Sequence, residues 1–173
     1  MITYLKPSLV VLIFFLCTNL FAQPSSTLKE GMKAPNFNLQ DVKGKTYKLS
    51  SFKNKFPVVI YFYPKAGTSG CTKQACGIRD NIRMFKDRNI IVLGVSVDSK
   101  VEISKFVSEH ELNFPLLSDK SKIVSKKYGV LRDDGKAKRI KFIIDRNGII
   151  SKIIEITDID QHAKEVFDIA SKL

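Results

Sequence analysis

One uninterrupted apolar segment constrains the fold of this chain more than any other feature of its sequence. From Pro57 to Tyr63 every residue is apolar or aromatic. Successive side chains of a strand point to opposite faces of a sheet, so an apolar residue at every position predicts a strand that is covered on both faces. We therefore predict a central strand in a sheet that has other structure packed on both sides.

A helix and a second buried strand follow this segment. Five residues after Thr68-Ser69-Gly70 recur at spacings of three and four, which is the period of an amphipathic helix. They are Cys71, Ala75, Ile78, Ile82 and Phe85. A second apolar run, Ile90 to Val97, predicts the next strand. The order strand, helix, strand predicts a right-handed crossover and a parallel pair of strands.

The remainder of the chain alternates turn signals with short periodic segments. A small hairpin is predicted in which the turn Lys43-Gly44-Lys45 separates strands over 37–39 and 47–49. Arg146-Asn147-Gly148 predicts the turn of a second hairpin. The other predicted elements are a helix over 101–111, a strand over 114–117, a short helix over 121–128, strands over 141–145 and 149–156, and a final helix to Leu173 capped by Asp158 or Asp160. This order predicts an α/β fold of thioredoxin-like layout, with a central mixed sheet flanked by helices.

The first 22 residues predict an export signal that is cleaved after Ala22. They contain one positive charge, Lys6, and an apolar run from Leu9 to Leu16. This run is shorter than the roughly 20 residues that a membrane-spanning helix needs. Two alternatives stay open: an uncleaved anchor, and lipidation at Cys17, which the large residue Leu16 before it disfavours. We expect the body of the protein outside the cytoplasmic membrane, as a periplasmic or secreted protein.

Cleavage would leave 151 of the 173 residues and would lower the formal net charge from +12 to +11, because Lys6 is lost with the leader. We expect residues 23–30 to form a loose N-terminal tether and residues 31–173 to form one domain, with no integral membrane span. The basic residues are spread through the chain without an aromatic-interleaved stripe, so we expect no nucleic-acid partner. We also expect no cofactor and no metal.

The residues that can carry chemistry are concentrated where the central strand passes into the helix. A turn built on Pro64 and Gly67 follows the strand, and Cys71 falls in the first turn of the predicted helix. The carboxyl end of a central strand is where open α/β sheets bind ligands. Unpaired backbone N–H groups and the positive end of the helix dipole favour a thiolate at this position. Cys71 is therefore a candidate nucleophile.

A second cysteine, Cys76, follows five residues later. On an intact helix it would lie about 140° around the axis and roughly 7.5 Å along it, so the two Cα atoms would be about 8 to 9 Å apart. A disulfide needs Cα atoms within about 7 Å of each other. Either the helix never forms and the cysteines make a permanent staple, or the helix unwinds locally after Cys71 is oxidised.

The staple is the less favoured alternative. Exported proteins do accumulate structural disulfides, but a loop of so few residues constrains the unfolded chain little. The apolar stripe also begins at Cys71 itself, which favours a helix in the reduced state. The two cysteines thus predict an element with two states.

The pattern Pro64-x-x-x-Thr68-x-x-Cys71 matches the active-site pattern of peroxiredoxins. The longer stretch from Tyr63 to Asp80 closely resembles the bacterioferritin comigratory protein, or peroxiredoxin Q, branch of that family. The resemblance runs from about Gly31 to the final helix and includes further blocks in the same order. These blocks are Pro115-Leu116-Leu117-Ser118-Asp119, Lys127-Tyr128-Gly129-Val130 and Arg139-x-x-Phe142-Ile143-Ile144-Asp145.

The resemblance implies a peroxiredoxin fold and a peroxidase of the atypical 2-Cys type, which reduces hydrogen peroxide and organic hydroperoxides. Cys71 would attack the peroxide and become a sulfenic acid, and Cys76 would resolve it as an intramolecular disulfide. Thr68 would hydrogen-bond the peroxide, Pro64 would shield the pocket from water, and Arg139 would hold and polarise thiolate and peroxide. A thioredoxin-type dithiol would reduce the disulfide. Because the resolving thiol lies in the same chain, we expect a monomer.

Three other functions compete with this one. An exported thioredoxin-like thiol-disulfide oxidoreductase would share the fold, but such proteins use Cys-x-x-Cys. An exported copper carrier typically spaces its thiols Cys-x-x-x-Cys, and an interaction module with a stapled loop would need no reactive thiol. Within the resemblance, Ser69 stands where the family often has proline. A leader is unusual for the family and leaves the identity of the reductant open.

Overall fold

The computed structural model describes residues 28–155 and 162–173. The predicted leader with Cys17, most of the predicted tether, and the predicted caps Asp158 and Asp160 lie outside the described residues. Within the described ranges, no helix has both the length and the apolar character needed to cross a membrane.

The described residues form seven strands and four α-helices. The strands are β1 (Asn38–Asp41), β2 (Thr46–Lys48), β3 (Val58–Phe62), β4 (Ile91–Ser96), β5 (Leu116–Ser118), β6 (Ile140–Ile144) and β7 (Ile150–Glu155). The helices are α1 (Ser69–Asp87), α2 (Lys100–Glu109), α3 (Ile123–Lys127) and α4 (His162–Ala170). A short 3-10 helix, Leu49–Phe52, follows β2. Both predicted hairpins and the predicted βαβ unit are confirmed.

All seven strands belong to one mixed sheet in the order β2-β1-β5-β4-β3-β6-β7. β3 pairs in parallel with β4, as predicted, and antiparallel with β6 on its other side. The predicted α/β fold, a central mixed sheet flanked by helices, is therefore confirmed. The arrangement brings the end of β3 and the beginning of β6 to the same edge of the sheet.

The central strand β3 is buried at every position, which confirms the prediction from its composition. Its odd-numbered residues pack into a core formed with α1, α2 and α4, and its even-numbered residues pack into a second core formed with α3 and β1. The stripe from Cys71 to Phe85 is the buried face of α1. The sheet thus separates two apolar cores, and Cys71 belongs to the first.

Two predicted boundaries are wrong for identifiable reasons. The strand predicted over 114–117 begins instead at Leu116, because Pro115 has no N–H to give to a ladder and contributes its carbonyl oxygen, which accepts from Gly94 N–H at 3.0 Å. The strand predicted to end at Leu49 gives way to the 3-10 helix. The Asn36 side chain accepts the Ser50 N–H at 2.9 Å and turns the chain away from the ladder.

The last residues of the predicted tether contact the domain. Leu28 packs against the second core. The Glu30 carboxylate accepts the Ile153 N–H and lies 3.1 Å from the Lys152 ammonium, and these two partners lower its pKa. Glu30 therefore contacts β7, and Leu28 contacts the second core.

Gly94 of β4 makes room for Tyr61, which pairs with it across the two parallel strands. A Cβ atom at position 94 would come within 2.7 Å of the Tyr61 ring and would also collide with Leu116. Tyr61 in turn packs in the same core as Cys71. The absence of a side chain at Gly94 therefore allows the Tyr61 ring to pack in the core on which the start of α1 lies.

We expect Gly94→Ala to destabilise the fold by about 1 to 3 kcal/mol, because overpacking displaces a buried ring from its place. Urea unfolding measures the loss as a lower midpoint with an unchanged slope. A variant that unfolds at the same urea concentration as the parent would show that the Tyr61 ring has space to move and that Gly94 is not required for its packing.

Candidate active site

The turn between β3 and α1 is held by a residue that follows the next strand. Pro64 lies half-buried in this turn, and Gly67 adopts a φ of +75°, which favours glycine. The Ala66 N–H donates to the Asp98 carboxylate at 2.8 Å, and Asp98 itself is buried just after β4. The turn is thereby fixed to the carboxyl end of the neighbouring parallel strand.

Thr68 is the N-cap of α1, but its side chain does not cap the helix. Its hydroxyl donates instead to the Lys65 carbonyl oxygen at 3.1 Å, and its own carbonyl accepts the Thr72 N–H at 2.8 Å. A hydroxyl that donates its hydrogen keeps the lone pairs of its oxygen, so the exposed Thr68 hydroxyl can also accept a hydrogen bond from a ligand. This geometry differs from that of an ordinary N-cap threonine.

Cys71 is the third residue of α1, within the turn whose backbone N–H groups precede the first helical hydrogen bonds. Its residue exposure is 2%, and its thiol is free. The Arg139 Nη2 donates to Cys71 Sγ at 3.3 Å. The predicted nucleophile and the predicted cation, 68 residues apart in the sequence, are in direct contact.

Arg139 lies immediately before β6 and makes two further contacts with the first turns of α1. Its Nη1 donates to the Gly70 carbonyl at 3.4 Å and to the Gln74 side-chain oxygen at 2.5 Å. Gln74 is fully buried on the same face of α1 as Cys71. The guanidinium is thus oriented by a residue of the same helix that carries the thiol.

Cys76 lies on α1 and is half-buried, and its thiol is also free. α1 is continuous from Ser69 to Asp87, so both cysteines sit on an intact helix. The predicted helix of the reduced state is therefore present, and the predicted Cys71–Cys76 disulfide is not formed in this structure.

Two tyrosines, one in β3 and one directly after it, lie in the same apolar core as Cys71. Tyr61 and Tyr63 stack with ring centroids 5.4 Å apart, and both are buried. Burial raises the pKa of each phenol, and in both cases the charge of a nearby Cys71 thiolate adds to the rise. Within the described ranges the Tyr61 hydroxyl has no hydrogen-bond partner, whereas interaction with the Ser96 hydroxyl offsets part of the rise in the pKa of Tyr63. Both phenols are therefore neutral at physiological pH.

A buried lysine shares the strand of the arginine. Lys141 of β6 is 1% exposed and pairs with Tyr61 across the antiparallel ladder. Burial lowers its pKa to about 7, against the opposing effect of Glu165 on α4. The sequence predicts a strand at Lys141 but not the burial of its side chain.

Of the predicted residues, Cys71 and Arg139 are in direct contact. Thr68 lies at the start of the helix that carries both cysteines, and Pro64 lies in the turn before it. Gln74 and Asp98 also belong to this site, although the sequence alone does not predict their positions there. Gln74 had one signal: a polar residue three after Cys71 falls on the apolar stripe, and buried polar groups have partners. The described residues include no group of three His, Cys, Asp or Glu side chains suited to a metal.

Comparisons with known proteins identify the family of this chain. Residues 31–153 match the model of the AhpC/TSA family. The chain is 48% identical over 135 residues to a putative peroxiredoxin bcp of Buchnera aphidicola, covering 74% of this chain and 85% of that protein. It is 42% identical to peroxiredoxin Bcp of Escherichia coli, covering 74% of this chain and 86% of the relative.

Among solved structures, the peroxidoxin BcpB of Mycobacterium tuberculosis superposes with a TM-score of 0.78 at 32% identity, covering 84% of this chain and 98% of that one. The family match spans most of the domain, and the relatives exceed 40% identity over nearly their whole length. The chain therefore belongs to the AhpC/TSA family, as a peroxiredoxin of the bacterioferritin comigratory protein and peroxiredoxin Q branch.

Proposed function

We propose that this peroxiredoxin reduces hydrogen peroxide and organic hydroperoxides through a sulfenic acid at Cys71, which Cys76 resolves as an intramolecular disulfide. One observation carries the proposal: the Arg139 guanidinium lies 3.3 Å from a buried thiol in the first turn of a helix. A cation and a helix N-terminus together favour a thiolate nucleophile.

In the first step the Cys71 thiolate attacks the terminal oxygen of the hydroperoxide. A sulfur–oxygen bond forms, the O–O bond breaks, and the leaving oxygen departs as an alkoxide or hydroxide that takes up a proton. Sulfur is oxidised to the sulfenic acid, and the peroxide is reduced to an alcohol or water.

Ionisation of the thiol supplies only part of the rate. A thiol of ordinary pKa, about 8.5, is a few per cent ionised at neutral pH, so full ionisation gains about 30-fold, or roughly 2 kcal/mol of barrier. Donors directed at the breaking O–O bond must supply the rest. The Arg139 guanidinium and the first-turn N–H groups of α1 are placed to donate. The Thr68 hydroxyl, which donates to the Lys65 carbonyl oxygen, would accept a hydrogen bond from the peroxide O–H.

In the second step the Cys76 thiolate attacks the sulfur of the Cys71 sulfenic acid, a disulfide forms, and hydroxide leaves as water after protonation. The intact α1 holds the two Cα atoms farther apart than a disulfide allows. We therefore infer that α1 unwinds locally before this bond forms.

A thioredoxin-type dithiol would then reduce the disulfide by thiol–disulfide exchange and return both thiols. Since both cysteines lie in one chain, this cycle needs no partner subunit, and we propose that the protein acts as a monomer. The leader over residues 1–22 would place the reaction outside the cytoplasm; this location stays a prediction from the sequence.

We expect Cys76→Ser to consume one peroxide per chain and to stop at a Cys71 sulfenic acid, which a dimedone-type probe traps and excess peroxide overoxidises. Cys71→Ser should abolish rapid loss of thiols altogether. Mass spectrometry of the peptides separates these thiols from Cys17. Normal multiple turnover of Cys76→Ser with a dithiol would exclude Cys76 as the resolving thiol. Failure of the parent to react rapidly with peroxide would favour a thiol-disulfide oxidoreductase instead.

Gln74→Ala should slow the first step about tenfold, because Arg139 loses a charge-assisted hydrogen bond worth about 1.5 to 3 kcal/mol. Stopped-flow reaction with limiting peroxide measures this rate directly. Asn81→Ala is the matched control, since Asn81 bonds to the Gly77 carbonyl on the same helix away from the site. Equal rates for Gln74→Ala and the parent would show that Arg139 is oriented without Gln74.

Backbone amides from Thr72 to Arg79 should exchange with solvent faster in the disulfide form than in the dithiol form, because their helical hydrogen bonds must open for the bond to form. Hydrogen-exchange mass spectrometry of the two redox forms provides the comparison. The last turn of α1, Arg83 to Asp87, serves as the internal control and should not change. Equal protection of 72–79 in both forms would rule out local unwinding.

A further inference from the structure

A cleft of about 180 Å³ lies at the end of the sheet opposite to Cys71. Val58, the first residue of β3, lines this cleft, whereas Cys71 lies beyond the last residue of β3. At about 3.3 Å per residue, the two ends of β3 are about 13 Å apart. Val58 also belongs to the second core and Cys71 to the first. The cleft is therefore separate from the candidate active site, both along β3 and across the sheet.

Apolar side chains form most of the lining of the cleft. Four of them are buried residues of the second core and two are half-buried phenylalanines: Ala34, Leu49, Val58, Ile144, Phe52 and Phe56. Among the described residues, none of the buried side-chain polar atoms that lack a hydrogen-bond partner lies in this lining. A ligand group that enters the cleft therefore needs no hydrogen-bonding atoms.

Backbone hydrogen bonds fix the walls of the cleft. The Ala34 N–H donates to the Gly148 carbonyl at 2.9 Å, and the Asn54 N–H donates to the Arg146 carbonyl at 2.6 Å. These two bonds join the segment before β1 and the segment after the 3-10 helix to the turn between β6 and β7. Ligand sites are usually formed before the ligand binds, and the walls of this cleft meet that condition.

Two lysines give the cleft a positive charge. Lys33 and Lys53 both line it, and both are exposed. Within residues 28–155 and 162–173, neither ammonium forms a salt bridge. The carboxylate among the described lining residues, Asp145, accepts the Asn147 and Ile149 N–H groups at 2.9 and 2.8 Å. Two cations and one carboxylate leave the lining with a positive charge that favours an anion.

The volume of the cleft limits the size of its ligand. Sites for drug-sized ligands have volumes of about 300 to 1,000 Å³, so a cleft of 180 Å³ suits a smaller molecule. An apolar cavity of about 150 Å³ in another protein takes up benzene. The apolar part of the ligand should therefore have about six carbon atoms.

We propose that this cleft binds small carboxylates that carry an apolar body of about six carbon atoms. The body would lie against the apolar lining, and the carboxylate would pair with Lys33 and Lys53. Binding would be non-covalent. The inference does not rest on the proposed function, because Cys71, Cys76, Thr68 and Arg139 do not line the cleft.

Hexanoate, acetate and hexan-1-ol separate the contribution of the apolar body from that of the charge. Titration of the isotope-labelled full chain with hexanoate should shift the amide NMR signals of the lining residues and saturate, with a dissociation constant on the order of 1 mM. Acetate should bind about tenfold more weakly or less, because each buried methylene contributes about fourfold in affinity. Hexan-1-ol should bind about two- to fivefold more weakly, the effect of losing a partly exposed charge pair.

Lysine variants test whether the charge acts at the cleft itself. Lys53→Gln should weaken hexanoate binding about two- to fivefold and leave hexan-1-ol binding unchanged. Lys55→Gln is the matched control, because Lys55 is an exposed lysine of the same segment that does not line the cleft, and it should change neither affinity. Cys71→Ser should bind hexanoate as the parent does.

Several results would overturn the proposal. Equal weakening by Lys55→Gln, or signal shifts spread over the whole surface, would show a general attraction of anions to a basic protein. Loss of hexan-1-ol binding in Lys53→Gln would show a structural effect of that substitution. Absence of saturable binding would show that the cleft is closed or filled in the full chain. Failure of the proposed function would appear differently, as a Cys71 that does not react with peroxide while hexanoate still binds.

Discussion

The contact between Arg139 and the first turns of α1 is the interaction on which the site depends, and the topology of the sheet creates it. β6 runs antiparallel to β3, with Lys141 paired to Tyr61. The residue that precedes β6 therefore lies at the edge where β3 ends and α1 begins. A parallel β6 would begin at the opposite edge of the sheet. The strand order thus brings a guanidinium to a thiol 68 residues away in the sequence.

The same contact would oppose the second step of the proposed cycle. Arg139 donates to the carbonyl of Gly70 and to the side chain of Gln74, both within or next to the segment that would open for Cys76 to approach Cys71. Charge-assisted hydrogen bonds contribute about 1.5 to 3 kcal/mol each. These bonds stabilise the intact helix, so the opening that we propose would require Arg139 to release Gln74.

The sequence predicts those features that depend on residues close together in the chain. The apolar run that became β3, the stripe of α1 and the turn at Gly67 depend on residues near one another in the chain, so they were predicted at the correct places. Gln74 is part of the site because it contacts Arg139, which is distant in sequence and lies just before β6. Asp98 is part of it because it accepts the Ala66 N–H from the turn after β3. The start of β5 depended on the missing N–H of Pro115. Arg139 is predicted as a site residue only from the resemblance to the peroxiredoxin family. Composition and spacing alone predict an arginine on the surface of a strand.

The two thiols of α1 lie in different environments. Cys71 is 2% exposed, close to the helix N-terminus and in contact with Arg139, a setting that favours reaction with a small peroxide over reaction with a protein. Cys76 is half-buried and lies more than a turn further along the helix. In the proposed cycle, peroxide would reach Cys71 while α1 is intact, and Cys76 would reach Cys71 only after α1 opens, because an intact helix keeps the two Cα atoms too far apart for a disulfide. The helix that separates the two thiols would therefore set the order of the two reactions.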